Sequence, residues 1–133
     1  MSPLIGLSNP VAPPLSMRVA GDHIEGTVTF GSAYEGPPGH VHGGIVAAAF
    51  DEVLGMAQSM SGQSGMTGTL TVRYRKPTPL HRELTIRAKT DRREGRKVFA
   101  SGTLHAGDQL CAEAEAVFVA VDFSRIADLA RDR

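Results

Sequence analysis

One segment constrains the fold of this chain more than any other. Residues 45–60 form a run of 16 positions without proline, rich in Ala, Leu and Met. The run follows the breaker Gly36-Pro37-Pro38-Gly39 and the sequence His40-Val41-His42-Gly43-Gly44. Such length and composition predict a helix. Apolar side chains fall on nearly every side of it: Ile45, Val46, Ala47, Ala48, Ala49, Phe50, Val53, Leu54, Met56, Ala57 and Met60. A helix with no wide polar face has to be covered.

The rest of the chain offers strands to cover it. In 17–30, Met17 and Val19 alternate with polar or small residues, Gly21-Asp22 offers a turn, and Ile24, Val28 and Phe30 resume the alternation. After a loop at 61–65, residues 66–74 are rich in Thr, Leu, Val and Tyr, and Pro77 and Pro79 end the run. In 83–91, Leu84, Ile86 and Ala88 alternate with Thr85, Arg87 and Lys89. Strands at 97–105 and 110–121 are set off by turns at Glu94-Gly95 and Gly107-Asp108. The four strands after the helix are expected to form an antiparallel meander. With 133 residues the chain suits one domain. The order points to an α+β, single hotdog domain, a curved antiparallel sheet of about six strands wrapped around one long buried helix. The expected boundaries are a proline-rich lead-in over 1–15, the domain over 16–123 and a short tail over 124–133 that Ser124 could cap as a helix.

Formal charge balances, with 14 Lys and Arg against 14 Asp and Glu. A neutral chain is a poor partner for nucleic acid or a membrane surface. The balance hides an asymmetry. Before residue 73 the only basic residue is Arg18, whereas 73–97 holds ten basic residues and three acidic ones. This run is either a solvated strand face or an anion-binding rim. Cys111 is the only cysteine, so no internal disulfide forms, and there is no CxxC and no zinc-ligand spacing. No metal or separate cofactor is expected. Residues 1–10 lack the basic and apolar regions of a signal peptide, and no stretch is apolar enough to span a bilayer, so a cytoplasmic protein is expected.

Within the helix, Asp51 stands out. Asp is a poor helix-interior residue, and burying its charge costs several kcal/mol unless it is paired. It is either a functional carboxylate or part of a narrow polar stripe with Gly55, Gln58 and Gly62, flanked by Glu52. At the helix start, Gly43-Gly44 leaves the backbone open to close approach. The first N–H groups of a helix have no internal partner, which suits an oxyanion, although a flexible turn would also use two glycines. His42 could position a carbonyl there or cap local backbone groups. Gly43 and Asp51 are eight residues apart, ~12 Å along a helix. One helix therefore cannot easily aim both at one carbonyl, but two antiparallel helices across a two-fold axis can, giving two shared sites per dimer. Thr67 could hold a water or hydrogen-bond the carboxylate. In a regular strand it shares a face with Thr69 and Thr71, away from the helix, and only a bulge near Gly68 turns it inward.

These residues resemble a known family. Glu35-Gly-Pro-Pro-Gly-His-Val-His-Gly-Gly-Ile-Val, Asp51, Met66-Thr-Gly-Thr-Leu-Thr-Val-Arg-Tyr-Arg-Lys-Pro-Thr-Pro-Leu80 and Glu94-Gly-Arg-Lys97 look like PaaI-like hotdog thioesterases. The branch most alike includes mammalian thioesterase superfamily members that act on long-chain fatty acyl-CoA. The resemblance implies that Asp51 is the general base or nucleophile. It implies that Gly43 gives the oxyanion N–H, with His42 and Gly44 shaping the turn, and that Thr67 holds the attacking water. It places Gly68, Arg75, Lys76, Pro77, Arg96 and Lys97 where the family meets substrate and CoA. The implied partner is a small-molecule acyl-CoA, with CoA as part of the substrate, and the implied assembly is a homodimer or a dimer of dimers. Some branches carry Asn six residues before the His of His-Gly-Gly, where this chain has Gly36. Two rival readings are a non-catalytic acyl-CoA binding module and an enoyl-CoA hydratase. The second would want a His in another spacing, and none follows Asp51 until His81.

Overall fold

The computed structural model describes residues 15–60, 62 and 65–120. The lead-in up to residue 14 and the tail over 124–133 lie outside them. The described chain runs β1 (Ser16–Ala20), β2 (His23–Thr29), a short 3-10 turn (Ser32–Tyr34), α1 (Gly43–Ser59), β3 (Gly65–Tyr74), β4 (Glu83–Glu94), β5 (Lys97–Ala106) and β6 (Gln109–Ala120). The six strands form one antiparallel sheet in the order β1-β2-β4-β5-β6-β3. Hairpins turn at Gly21, Gly95 and Gly107, all with positive φ, where glycine carries no side-chain clash.

The expected four-strand meander is overturned. β4, β5 and β6 do form one, but β4 lies beside β2 and β3 lies beyond β6, at the sheet edge. The reason is the eight-residue link at 75–82, broken by Pro77 and Pro79 and too long for a hairpin. It carries the chain across to β2. On the way it docks on the segment before α1, where the Val41 N–H donates to the Thr78 carbonyl at 2.8 Å and Leu80 N–H to the Gly39 carbonyl at 3.2 Å.

The helix packs on β2 through β6. Val46, Ala49, Phe50, Val53, Leu54 and Ala57 meet the inward rows of the sheet, Ile24 and Val28, Leu84 and Ile86, Val98 and Leu104, and the alanines of β6. Small residues bring the layers close. A Cβ on Gly26 would lie 3.1 Å from Val53 Cγ2, and one on Gly102 would lie 3.5 Å from Leu54 Cδ2. The expectation of a helix buried all round needs correction at the level of one chain. Ile45, Ala47, Ala48, Asp51, Glu52 and Gly55 are only half-buried, and Met56 and Met60 are exposed. A sheet that wraps one side of α1 leaves the other side open, and that side is apolar apart from Asp51 and Glu52.

Candidate active site

The carboxylate is set from two sides. Asp51 lies in the middle of α1, on its half-buried side. The Thr67 hydroxyl donates to Asp51 Oδ1 at 2.8 Å. A β-bulge makes this bond possible. Thr67 pairs with Phe118 and Thr69 with Val117, so Gly68 is the extra residue. The register slip puts Thr67 on the helix side with Leu70 and Val72, instead of with Thr69 and Thr71. A side chain at Gly68 would press on Val119 Cγ2 at 3.2 Å and on the Val117 carbonyl at 3.3 Å, which suits glycine at the bulge. With its proton on Asp51, the Thr67 oxygen can still accept from a water. The polar stripe is broken, because Gln58 is buried and its amide donates to the Gly65 carbonyl at 3.5 Å.

The helix start is built around His42. Its Nδ1 accepts from the Gly44 N–H at 2.9 Å, capping the helix. A neutral ring that accepts at Nδ1 carries its proton on Nε2, so His42 keeps a donor to offer. The Gly44 N–H is thereby used, and Gly43, the first helical residue, holds the N–H without an intrahelical acceptor. The carbonyl of His42 accepts from Ile45 at 3.0 Å and Val46 at 3.2 Å. Those bonds polarise the His42–Gly43 peptide and strengthen its N–H as a donor.

Two residues that the sequence did not assign shape this turn. Gly36 lies under it: a Cβ there would sit 2.8 Å from His42 Cα. The Asn of other branches therefore has no room at this position. Tyr74, at the end of β3, donates its hydroxyl to the Gly43 carbonyl at 2.6 Å. Partial desolvation of the phenol, on a residue still 53% exposed, pushes its pKa above the ordinary value. Inward parity with Leu70 and Val72 was the available signal for Tyr74; for Gly36 it was glycine where other branches carry Asn.

The candidate CoA contacts separate into two groups. Arg75, Lys76 and Pro77 follow Tyr74 and lie at the Gly43 end of β3. Arg96 and Lys97 lie at its other end, beside Ala120 and Val119, which pair with Gly65 and Met66. Arg75 is bound by Glu113 through Nε at 3.1 Å and Nη2 at 2.8 Å, and Arg96 Nη2 donates to the Ala120 carbonyl at 2.8 Å. Lys76 and Lys97 are exposed. Much of the basic run is a solvated outer face. Arg87 pairs with Glu25, and Arg92 lies 3.9 Å from the centre of the Phe99 ring. A groove of about 560 Å³ lies on that outer face and includes Arg87, Lys89, Glu113 and Glu115. It is not the site of Asp51. Among the described residues no group of three or more His, Cys, Asp or Glu is placed to hold a metal, and no helix is long and apolar enough to cross a membrane.

A six-stranded antiparallel sheet around one helix that begins at a glycine pair and carries a strand-bound Asp is a hotdog domain of the thioesterase kind. The chain belongs to the thioesterase superfamily, whose family model matches residues 38–119. It is 40% identical to acyl-coenzyme A thioesterase THEM4 of Xenopus laevis over 91 residues, 67% of this chain and 41% of that protein. With THEM5 of Homo sapiens it shares 33% identity over 79 residues, 59% of this chain and 32% of the relative. The chain thus spans about two-fifths of the length of the curated relatives it matches. A crystal structure of a thioesterase superfamily protein superposes with a TM-score of 0.82 at 43% identity, covering 88% of this chain and 62% of the other. A phenylacetic acid degradation-related protein of Ralstonia eutropha superposes with a TM-score of 0.72 at 25% identity, covering 79% and 83%.

Proposed function

We propose that the chain hydrolyses acyl-CoA thioesters to a free acid and CoA, at two sites shared across a two-fold axis. The observation that carries this reading is the Thr67 to Asp51 hydrogen bond of 2.8 Å, made through a bulge. It orients a carboxylate in the middle of a helix and leaves Oδ2 to act as base. Oδ2 takes a proton from a water, and the resulting hydroxide attacks the thioester carbon. The oxyanion is met by the Gly43 N–H, with the His42 Nε2–H as a second donor. As the tetrahedral intermediate collapses, the C–S bond breaks and the proton passes to the CoA sulfur. Direct attack by Asp51, followed by hydrolysis of an anhydride, uses the same groups.

Gly43 and Asp51 are ~12 Å apart on one helix, so the donor and the carboxylate serving one carbonyl come from different protomers. The half-buried apolar side of α1 and the exposed edge strand β3 offer the surfaces for that pairing. A two-fold partner would also bring Arg75 and Lys76 of one chain toward Arg96 and Lys97 of the other. The substrate class we favour is fatty acyl, of medium to long chain. Ala47, Ala48 and Gly55 lie on the open side of the helix, and a Cβ on Gly55 would meet nothing within 4 Å. Ala49 does not contribute, because it is fully buried in the core.

The test is thiol release from short, aromatic and long-chain acyl-CoAs, with Asp51→Ala beside the wild type. Turnover that falls at least ~100-fold in the variant, the scale of a lost acid–base group, supports the reading. A folded protein that binds CoA esters and turns none over refutes it and leaves a binding module.

A further inference from the structure

We propose that Tyr74 is a positioning residue for the oxyanion donor, clamping the Gly43 backbone from the neighbouring strand. The proposal rests on the reading of Gly43 as that donor. Two consecutive glycines at a helix start have wide backbone freedom, and an oxyanion donor must hold one direction to be worth much. His42 is fixed by its cap on Gly44, by the seat at Gly36 and by the bond from its N–H to the Tyr34 carbonyl at 2.8 Å. The bonds from Ile45 and Val46 to the His42 carbonyl hold the peptide on the near side of Gly43, but none of these reaches the Gly43 carbonyl from the neighbouring strand. Tyr74 does. Its hydroxyl donates to the Gly43 carbonyl at 2.6 Å, and a Cβ built on Gly43 would lie 3.5 Å from both the ring carbon Cζ and the hydroxyl oxygen. The phenol thus lies along Gly43 while binding its oxygen. A turn of the His42–Gly43 peptide alone breaks the bonds from Ile45 and Val46 to the His42 carbonyl, and a shift of Gly43 as a whole, which would carry its N–H away, has to press on this ring or break the Tyr74 bond.

The phenol is not itself an oxyanion donor, since its one proton is committed to a backbone carbonyl. It acts through Gly43. The arrangement also explains why one strand carries both tethers: β3 holds Asp51 through Thr67 near its start and Gly43 through Tyr74 at its end. The base and the donor of a protomer are therefore both referred to the same edge strand.

The test is Tyr74→Phe in the full chain, which keeps the ring and removes the hydroxyl. Two quantities are read: kcat and KM for an acyl-CoA that the wild type hydrolyses, and the amide ¹⁵N resonance of Gly44, whose peptide carbonyl accepts the phenol proton. The expected result is a kcat lower by about tenfold, a fraction of the effect of deleting an oxyanion donor outright. KM should stay within about twofold, the signature of an interaction felt mainly in the transition state. The Gly44 resonance should move. An unchanged kcat, or a raised KM at constant kcat, overturns the proposal; the second result would make Tyr74 a substrate contact. An unmoved Gly44 resonance overturns it as well. A wild type that hydrolyses no thioester sinks the thioesterase reading and this proposal with it, whereas normal turnover in both proteins sinks this proposal alone.

Discussion

Gly36→Ala isolates the seat of the turn that carries the proposed oxyanion donor. The backbone at Gly36 is not in the left-handed region, so alanine brings no conformational strain of its own. Its Cβ would lie 2.8 Å from His42 Cα, 3.2 Å from His42 Cβ and 3.3 Å from His42 N. Carbon atoms in contact prefer about 3.5–4.0 Å, so one side has to yield by roughly 0.7 Å. The loop is poorly placed to do so. Its Gly36 N–H is bound to the His40 carbonyl at 2.9 Å, and Glu35 accepts from the Gly39 N–H at 2.7 Å. His42 therefore moves, and the adjoining Gly43 N–H moves with it. A misplacement of about 1 Å at a reacting group costs about 100-fold, so a loss in kcat of about 10- to 100-fold is expected. Overpacking of this kind also costs about 1–3 kcal/mol of stability, visible as a lower melting temperature. The assay is thiol release at saturating acyl-CoA, with melting followed in parallel. Gly31→Ala is the control, since a Cβ there meets nothing within 4 Å, and it should behave as wild type. A Gly36→Ala protein with wild-type kcat would show that the turn tolerates displacement and that the seat does not govern the donor.

The remaining predictions concern Asp51's partner and the outer face. Thr67→Val keeps the strand preference and the size but removes the hydroxyl on Asp51; kcat should fall about tenfold with little change in KM, on the scale of one hydrogen bond to a charged group. An unchanged kcat there would mean that Asp51 needs no orienting bond. On the outer face, the hydrogen bond from Arg18, opposed by desolvation and joined by Arg87, holds the Glu25 carboxyl below its ordinary value. A lowered folded pKa means stability that is present above the unfolded value, about 4.5, and lost as pH falls through the folded one. Thermal melts of the wild type and Glu25→Gln should therefore differ most above pH 4.5 and converge in stronger acid; a gap that widens on acidification would contradict this.

The helix and the six strands were legible because their patterns are strong. Leu84, Ile86 and Ala88 alternate as a half-buried strand should, and all three are buried. Strand order was less legible. Periodicity tells which face of β3 is apolar but not which neighbour it takes, and the link at 75–82 sends β4 to β2 while β3 closes the far edge. The position of Thr67 depended on a register slip that alternation alone cannot reveal. Gly68 marked where it could occur, and pairing with β6 shows that it does. The basic run stayed open between a solvated face and an anion-binding rim for a related reason. Counting along the chain puts ten basic residues together, but the sheet sets them beside acids from other strands, Glu25 next to Arg87 and Glu113 next to Arg75.

The half-open helix and the proposed division of the site have one explanation in common. A chain that exposed the apolar side of α1 to water would lose part of the hydrophobic stabilisation its sequence offers, and an exposed edge strand such as β3 invites pairing. Both features sit on the side that carries Gly43, Asp51, Thr67 and Tyr74. Covering that side with a second copy would bury the apolar strip and bring a donor near a carboxylate, which one helix holds ~12 Å apart. The contacts that stabilise such a pair would then be the ones that complete its chemistry. Dilution below the dimer's dissociation range should therefore abolish turnover before it unfolds the domain, because each protomer alone would keep its core but hold only half of a site.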